Sequence, residues 1–276
     1  MSWFCRNLRG ASHAACGIAC FVMAIAIGML PAPASGAMIQ IDRFIGPNPA
    51  QFFILGSGSN PSTTMSYNSA DVIGGQRDTL VNVVGQGTPT SVVGIIGHDQ
   101  SYNMDALQVG TNGLSPTVVT LLYSGLAVQA SPAALINAHA LASGFGMDLT
   151  GGGTNDRFQI HFYSSDARPT VGLDVAVTVT SPDGKLSTAT VDAPNSTTAF
   201  DLYIPFTKLV GNAVLTNVDS IKFVFNGVRK TPNVDYEVQL LAVVPEPAAT
   251  TLVVSGLLAA GALSVLRRRQ RARKSS

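Results

Sequence analysis

Between residues 38 and 243 the chain is a succession of short apolar runs, punctuated by Gly, Pro, Asn, Asp and Ser. Within several runs apolar and polar residues alternate. Phe158, Ile160 and Phe162 alternate with Gln159 and His161, and Val175, Val177 and Val179 alternate with Ala176, Thr178 and Thr180. A period of two places one set of side chains on a core face and the other toward solvent or a second layer, which is the signature of a half-buried strand. Runs rich in Val, Ile, Thr, Phe and Tyr predict strands at Met38–Phe44, Gln51–Leu55, Thr79–Val84, Ser91–Ile96, Ala106–Val109, Val118–Tyr123 and Arg157–Tyr163. Five more are expected at Leu173–Thr180, Leu186–Val191, Ala199–Ile204, Ser220–Phe225 and Tyr236–Val243. The segment Ser181-Pro182-Asp183-Gly184-Lys185 carries turn chemistry, with Gly184 available for positive φ, and predicts a hairpin from Leu173 to Val191.

One short helix is expected. Ser131 can cap it, Pro132 suits its first turn, and AALINAHALA follows. Evenly spaced strands with so little helix predict an all-β fold, a two-sheet antiparallel sandwich of which the jelly roll is one form. No internal repeat of fixed period is present.

Two apolar segments break this pattern, one near each end. Arg6 and Arg9 precede a run without charge from Ala14 to Leu30, Pro31 and Pro33 follow, and Ser35-Gly36-Ala37 places small residues at the −3 and −1 positions of a peptidase site. This order of basic, apolar and small-residue regions is that of a secretory signal peptide, residues 1–37, cleaved after Ala37 by signal peptidase. The competing reading is an uncleaved anchor, since the run approaches the ~17 residues that span a bilayer. Arg6 and Arg9 are not adjacent, so a twin-arginine signal is not supported. At the other end, Val244-Pro245-Glu246-Pro247 leads into 19 residues without charge, Ala248 to Leu266, and then Arg267-Arg268-Arg269. At 1.5 Å per residue that run makes a helix of about 28 Å, close to the ~30 Å hydrocarbon core. The arginines, continuing into the basic tail 267–276, would remain cytoplasmic, leaving residues 38–247 on the far side of the membrane. Three parts follow: the leader, a β-sandwich ectodomain at 38–243, and a terminal segment at 244–276.

The Pro245-Glu246-Pro247 triplet, the single span and the arginine-rich end, in that order, resemble the PEP-CTERM sorting signal of Gram-negative bacteria. The resemblance covers Val244 to about Arg273. It implies processing by an exosortase, a membrane-embedded cysteine transpeptidase-like enzyme, and a place at the cell surface or in the extracellular matrix after a transient stay in the inner membrane. It also implies company with extracellular polysaccharide. The competing reading is an ordinary single-pass anchor behind a proline hinge.

Charge sharpens this picture. The whole chain has a formal net charge of +1 and only 12% charged residues, but the charges are segregated. Nine Lys and Arg and all 16 acidic residues lie between Asp42 and Glu246, giving that stretch a formal charge of −7. An acidic ectodomain between basic ends fits export and argues against nucleic acid as a partner. The three cysteines, Cys5, Cys16 and Cys20, all lie in the leader. The mature chain therefore has no disulfide, thiolate metal site or cysteine nucleophile, and its fold must rest on its own core.

Candidate chemistry in the middle is sparse. Phe200 to Phe206 (FDLYIPF) and Val218 to Phe225 (VDSIKFVF) resemble the closing strands of galactose-binding-like jelly rolls, a fold shared by many carbohydrate-binding modules. The resemblance implies glycan binding, although the apolar residues there would be core in any sandwich. A sugar ring needs an exposed aromatic flanked by polar groups. Trp3 leaves with the leader, so the candidates are tyrosines, of which Tyr67 and Tyr102 sit in polar, loop-like stretches. Asp148, Asn155 and Asp156 flank Gly151-Gly152-Gly153, where a flexible loop can gather oxygen ligands for calcium, without the twelve-residue EF-hand spacing. Asp, Asn and Gly also cluster in turns for backbone reasons alone. No other cofactor is suggested. The chain has no Gly-x-Ser-x-Gly elbow and no His-Glu-x-x-His pair, and GGGTND lacks the lysine of a phosphate loop. A non-enzymatic surface protein is the first expectation. A carbohydrate-binding module is the second, and a secreted hydrolase with an unrecognised site the third.

Overall fold

The computed structural model describes residues 37–45, 51–55, 62–84, 91–99, 104–112, 116–124, 146–166 and 172–246, which fall in the compact unit Gly36–Pro247. Fourteen strands are formed there. They are β1 (Ile39–Asp42), β2 (Gln51–Leu55), β3 (Ser62–Asn68), β4 (Gln76–Val83), β5 (Ser91–Asp99), β6 (Met104–Asn112) and β7 (Thr117–Tyr123), then β8 (Asn155–Ser165), β9 (Leu173–Thr180), β10 (Leu186–Ala193), β11 (Phe200–Pro205), β12 (Val210–Gly211), β13 (Ser220–Phe225) and β14 (Tyr236–Pro245). Among the described residues there is no α-helix, only two single 3₁₀ turns at Ile73–Gly75 and Phe206–Lys208. The helix expected after Ser131 lies outside the described residues, as do residues 1–36 of the leader, the span and the basic tail.

The strands form two antiparallel sheets, as the alternating pattern predicts. Sheet A runs β11-β8-β14-β6-β5-β2, with β1 also paired to β14, and sheet B runs β12-β10-β9-β13-β7-β4-β3. The last strand, β14, lies along β8 over its whole length; its other edge is shared by β6 near Tyr236 and by β1 near Val243. The chain passes repeatedly from one sheet to the other, so each sheet is assembled from distant segments.

A single hydrophobic core fills the space between the sheets. Phe158, Ile160 and Phe162 of β8 meet Phe223 and Phe225 of β13, with Val175, Val177 and Val179 of β9 alongside, all fully buried. The ring of Phe158 stands edge-on to Phe223 at 5.8 Å and to Phe206 at 5.2 Å, and Phe162 stands edge-on to Phe225 at 6.4 Å. Edge-to-face pairs of this kind each contribute about 0.5–1.5 kcal/mol beyond the area they bury.

The core also holds a charged clasp. Asp42 of sheet A accepts hydrogen bonds from Arg77 Nη1 (2.7 Å) and Tyr123 Oη (2.9 Å), both of sheet B, and from the Phe44 backbone N–H (2.6 Å). All four residues are completely buried. The guanidinium lies 5.4 Å from the Phe44 ring centroid and 5.1 Å from that of Tyr67, so aromatic faces take the place of water around it. Burial, with the Asp42 charge second, pushes the Tyr123 hydroxyl well above its ordinary range and keeps it neutral.

The strand expected at Thr79–Val84 starts earlier, at Gln76, because this clasp gives Arg77 a buried partner. The strand β3, with the polar sequence STTMSYN, was not expected. It is an edge strand with alternate residues exposed, so it needs few apolar side chains.

Candidate functional site

Because Phe158, Ile160 and Phe162 point into the core, the intervening residues of β8 point out of sheet A. Pairing with β11 sets Tyr203 opposite Gln159 and Asp201 opposite His161. Residues directly opposite in an antiparallel pair share a face. The outcome is a polar network on open sheet surface. His161 Nδ1 and Asp201 Oδ1 are 2.7 Å apart, and Tyr203 Oη donates to Asp201 Oδ2 at 3.2 Å. Partial burial works to raise the Asp201 carboxyl, but hydrogen bonds from His161, Gln159 and Tyr203 outweigh it and hold the group below its ordinary range. The same neighbourhood raises the Tyr203 hydroxyl, through burial first and the Asp201 charge second.

Arg157 closes one end of this network. Its guanidinium lies 5.8 Å from the Tyr203 ring centroid. Its Nε and Nη2 donate to the two oxygens of Asp156 at 2.7 and 2.9 Å, and Nη2 lies 3.4 Å from Glu246 Oε1. The Asp156 hydrogen bonds are the main reason that the guanidinium is held above its ordinary value.

At the other end, Tyr163 borders an open depression of about 650 Å³. Gln108, Glu237, Asp166, Asp235 and Ser196 also line it. Its carboxylates are braced by the backbone: Asp235 Oδ1 accepts from the Thr111 N–H at 2.6 Å, and Asp166 Oδ1 accepts from the Asp235 N–H at 3.0 Å. Tyr163 and Tyr203 are 46% and 39% exposed, so both rings are open to a ligand. Four residues of strand separate Tyr163 from Gln159, the residue opposite Tyr203, so the two rings stand about 13 Å apart along the strand. The face thus offers two aromatic platforms with carboxylate, imidazole and amide groups between them and the Arg157 guanidinium beyond Tyr203. Such a surface can stack apolar ring faces and hydrogen-bond hydroxyls at the same time.

The residues singled out from sequence fall elsewhere. Tyr67 lies on β3, half-buried, with its ring against Arg77 and its side chain packed on the core. Tyr102 lies outside the described residues. Asp148, Asn155 and Asp156 do not share a free loop: Asn155 and Asp156 begin strand β8. Asp148 Oδ1 accepts from the N–H and hydroxyl of Thr150 at 2.8 and 2.6 Å, its Oδ2 accepts from the Gly152 N–H at 3.0 Å, and the Thr150 hydroxyl is the main cause of its lowered pKa. Asn155 Nδ2 donates to the carbonyl of Ala37 at 3.2 Å, and Asp156 is held by Arg157. A cation at Asp148 would have to displace donors already in place. No group of three His, Cys, Asp or Glu with metal-site geometry occurs among the described residues.

Pro245 is the last residue of β14, opposite Asn155, and Glu246 reaches Arg157. Ser35, Pro247 and Arg267-Arg268-Arg269 lie outside the described residues; within them no helix is long and apolar enough to cross a membrane. Sequence reasoning placed His161 on a polar strand face but had no way to pair it with Asp201, 40 residues away. Alternation around Phe158, Ile160 and Phe162 was the signal for Tyr163 facing outward.

No protein-family model and no curated protein matches this chain. Among solved structures it is similar to a family 11 carbohydrate-binding module from Clostridium thermocellum in complex with a β-1,3-1,4-mixed-linked tetrasaccharide, with 11% identity, a TM-score of 0.35, and coverage of 75% of this chain and 95% of that one. It is also similar to TmCBM61 in complex with β-1,4-galactotriose, with 8% identity, a TM-score of 0.25, and coverage of 69% and 86%. A third likeness is to the arabinose-bound α-L-arabinofuranosidase MgGH51, with 12% identity, a TM-score of 0.35, and coverage of 77% of this chain and 27% of that one. Likenesses at TM-scores this low fix neither a family nor a ligand for this chain.

Proposed function

We propose that this chain is an exported, non-catalytic surface protein whose β-sandwich, of jelly-roll type, binds extracellular polysaccharide through the outer face of sheet A. The observation that carries the reading is the pair of exposed rings, Tyr163 and Tyr203, on one strand face with the His161–Asp201–Tyr203 network between them. A pyranose ring presents an axial C–H face that stacks on a phenol and a rim of hydroxyls that needs both donors and acceptors. Asp201 and Glu237 supply acceptors there, Arg157 supplies donors, and Gln108 and Gln159 supply both.

Delivery follows the two ends. Signal peptidase removes residues 1–37, the PEP-CTERM signal holds the chain in the inner membrane, and an exosortase acts on the tail. Two features are consistent with this order. The first strand starts at Ile39, just beyond the expected cleavage point, and the last ends at Pro245, within the triplet, so the fold occupies the stretch between the two signals.

The test is binding of the full-length protein, in neutral detergent, to the polysaccharide of a producing host, followed by affinity electrophoresis. Retardation should be saturable. Tyr203→Ala and Tyr163→Ala should each weaken it roughly tenfold, since stacking on an aromatic is worth about 0.5–1.5 kcal/mol beyond the area it buries. Retardation that both variants retain in full removes sheet A from the reading.

A further inference from the structure

The strand β8 opens at Asn155, where the two ends of the sandwich come together. Asn155 is buried and stands opposite Pro245, the last residue of β14. On the other edge of β14 lies β1, with Ile39 opposite Val243. The residues just before β1, Ala37 and Met38, are exposed. The Asn155 side chain reaches back to them: its Nδ2 donates to the Ala37 carbonyl at 3.2 Å.

The surroundings of that side chain are built. The Asn155 N–H donates to the Thr150 carbonyl at 2.8 Å, and the Thr154 hydroxyl donates to the Gly151 carbonyl at 2.8 Å. Asp148 accepts from the Gly152 N–H at 3.0 Å and braces the same loop. Gly151 has φ 53°, and a Cβ there would stand 2.9 Å from Asn155 Nδ2, so glycine lets the loop close against the amide. The amide itself is half satisfied, because its Oδ1 is buried with no hydrogen-bond donor. A buried acceptor gives up water on folding, and native folds nearly always return a donor to it.

We infer that Asn155 is the receptor for the α-ammonium of Met38, the terminus that signal peptidase creates. The inference rests on the proposed cleavage after Ala37. Hydrolysis adds water across the Ala37–Met38 amide and breaks its C–N bond. Ala37 leaves with the leader as a carboxylate, and Met38 keeps the nitrogen, which is protonated at neutral pH. The carbonyl that Asn155 Nδ2 holds departs, and water takes its place at that exposed position. The nitrogen of the same peptide unit gains a charge and three donors, beside the amide whose Oδ1 lacks one. The new terminus has little freedom to go elsewhere, since β1 starts one residue on and is pinned to β14. A hydrogen bond from an ammonium is roughly twice as strong as a neutral one, so the processed chain gains at this seam what the unprocessed chain lacks. The anchored terminus then stands beside the strand end that leads into Pro245-Glu246-Pro247.

The test compares two termini by thermal unfolding. The full chain is exported from a host that has signal peptidase but no exosortase, so that the leader is removed and the tail stays, and it is purified in neutral detergent. In one form Met38 follows Ala37 directly. In the other, two glycines are inserted between them, so the ammonium is displaced and an amide again precedes Met38. Intact mass gives the terminus of each. The Met38 terminus should raise the thermal midpoint by about 2–4 °C over the extended one. Asn155→Leu should close this gap, and Asn155→Asp, which adds a full negative charge, should widen it. Equal midpoints for the two termini, or a gap that survives Asn155→Leu, would overturn the site. Where Asn155→Leu does not fold, Asn155→Asp decides: a gap no wider than with asparagine overturns the site as well. A mature chain that starts elsewhere than Met38 is recognised from its mass alone and overturns the cleavage reading and the site together. A chain that starts at Met38 without the gap refutes the site and leaves the cleavage reading standing.

Discussion

At the scale of single residues, the decisive group in the fold is Arg77. A buried guanidinium is costly unless it is paired, and removing one partner of a buried ion pair typically costs about 3–5 kcal/mol because the other charge stays behind. Asp42→Asn should therefore lower unfolding free energy by about that amount in urea titrations. The double variant Asp42→Leu with Arg77→Met, which removes both charges and keeps apolar volume, should recover most of the loss. A double variant no more stable than Asp42→Asn would mean that the clasp stabilises through packing alone. Tyr67, expected from its polar surroundings as a ligand platform, is half-buried on β3. Its polar neighbours, Ser66 and Asn68, are the solvent side of an edge strand, and the ring itself turns inward to Arg77.

Among elements, the hairpin of β9 and β10 is the one most fully legible in advance. Its strands pair in unbroken register from Leu173 with Ala193 to Thr180 with Leu186. The turn between them is closed by the Ser181 N–H to the Lys185 carbonyl at 3.0 Å and by the Gly184 N–H to the Ser181 carbonyl at 2.8 Å. Hydrogen bonds from Lys185 and then Ser181 hold the Asp183 carboxyl down at about 2. Gly184 has φ 78° and open space where a Cβ would stand, so the conformation alone demands glycine. Gly184→Ala should destabilise the domain by about 1 kcal/mol, read as a lower thermal midpoint, with polysaccharide retardation unchanged. An unchanged midpoint would mean that the turn relaxes to negative φ without penalty. The pairing of β8 with β11 is the opposite case: both strands were expected, but nothing local to either says that they are neighbours.

On the scale of the whole molecule, the last strand of the sandwich runs directly into the triplet that we propose as a sorting signal. Pro245 belongs to β14 and Glu246 is tethered to Arg157, so no free linker precedes Pro247 within the described residues. Intact mass of the protein recovered from membranes and from the medium of a producing host tests the delivery part of the reading. A secreted species lacking residues 1–37 and shortened or modified near Pro245-Glu246-Pro247 is expected. A species that keeps Ala248–Ser276 and stays in the membrane despite an active exosortase would leave an ordinary anchored β domain.

What the sequence determined by itself is what local chemistry encodes: strand periods, turn residues, and the segregation of apolar and basic runs at the ends. Period two follows from the geometry of a single strand, so the burial of Phe158, Ile160 and Phe162 was readable without knowing their partners. The tertiary structure alone decided which strands became neighbours, and with that every feature that depends on two distant segments. Asp42 meets Arg77 and Tyr123, His161 meets Asp201, and Asn155 meets Ala37. The physical reason is that sheet pairing is non-local. Backbone hydrogen bonds are alike for every partner, and only the summed burial of two complete faces selects one arrangement.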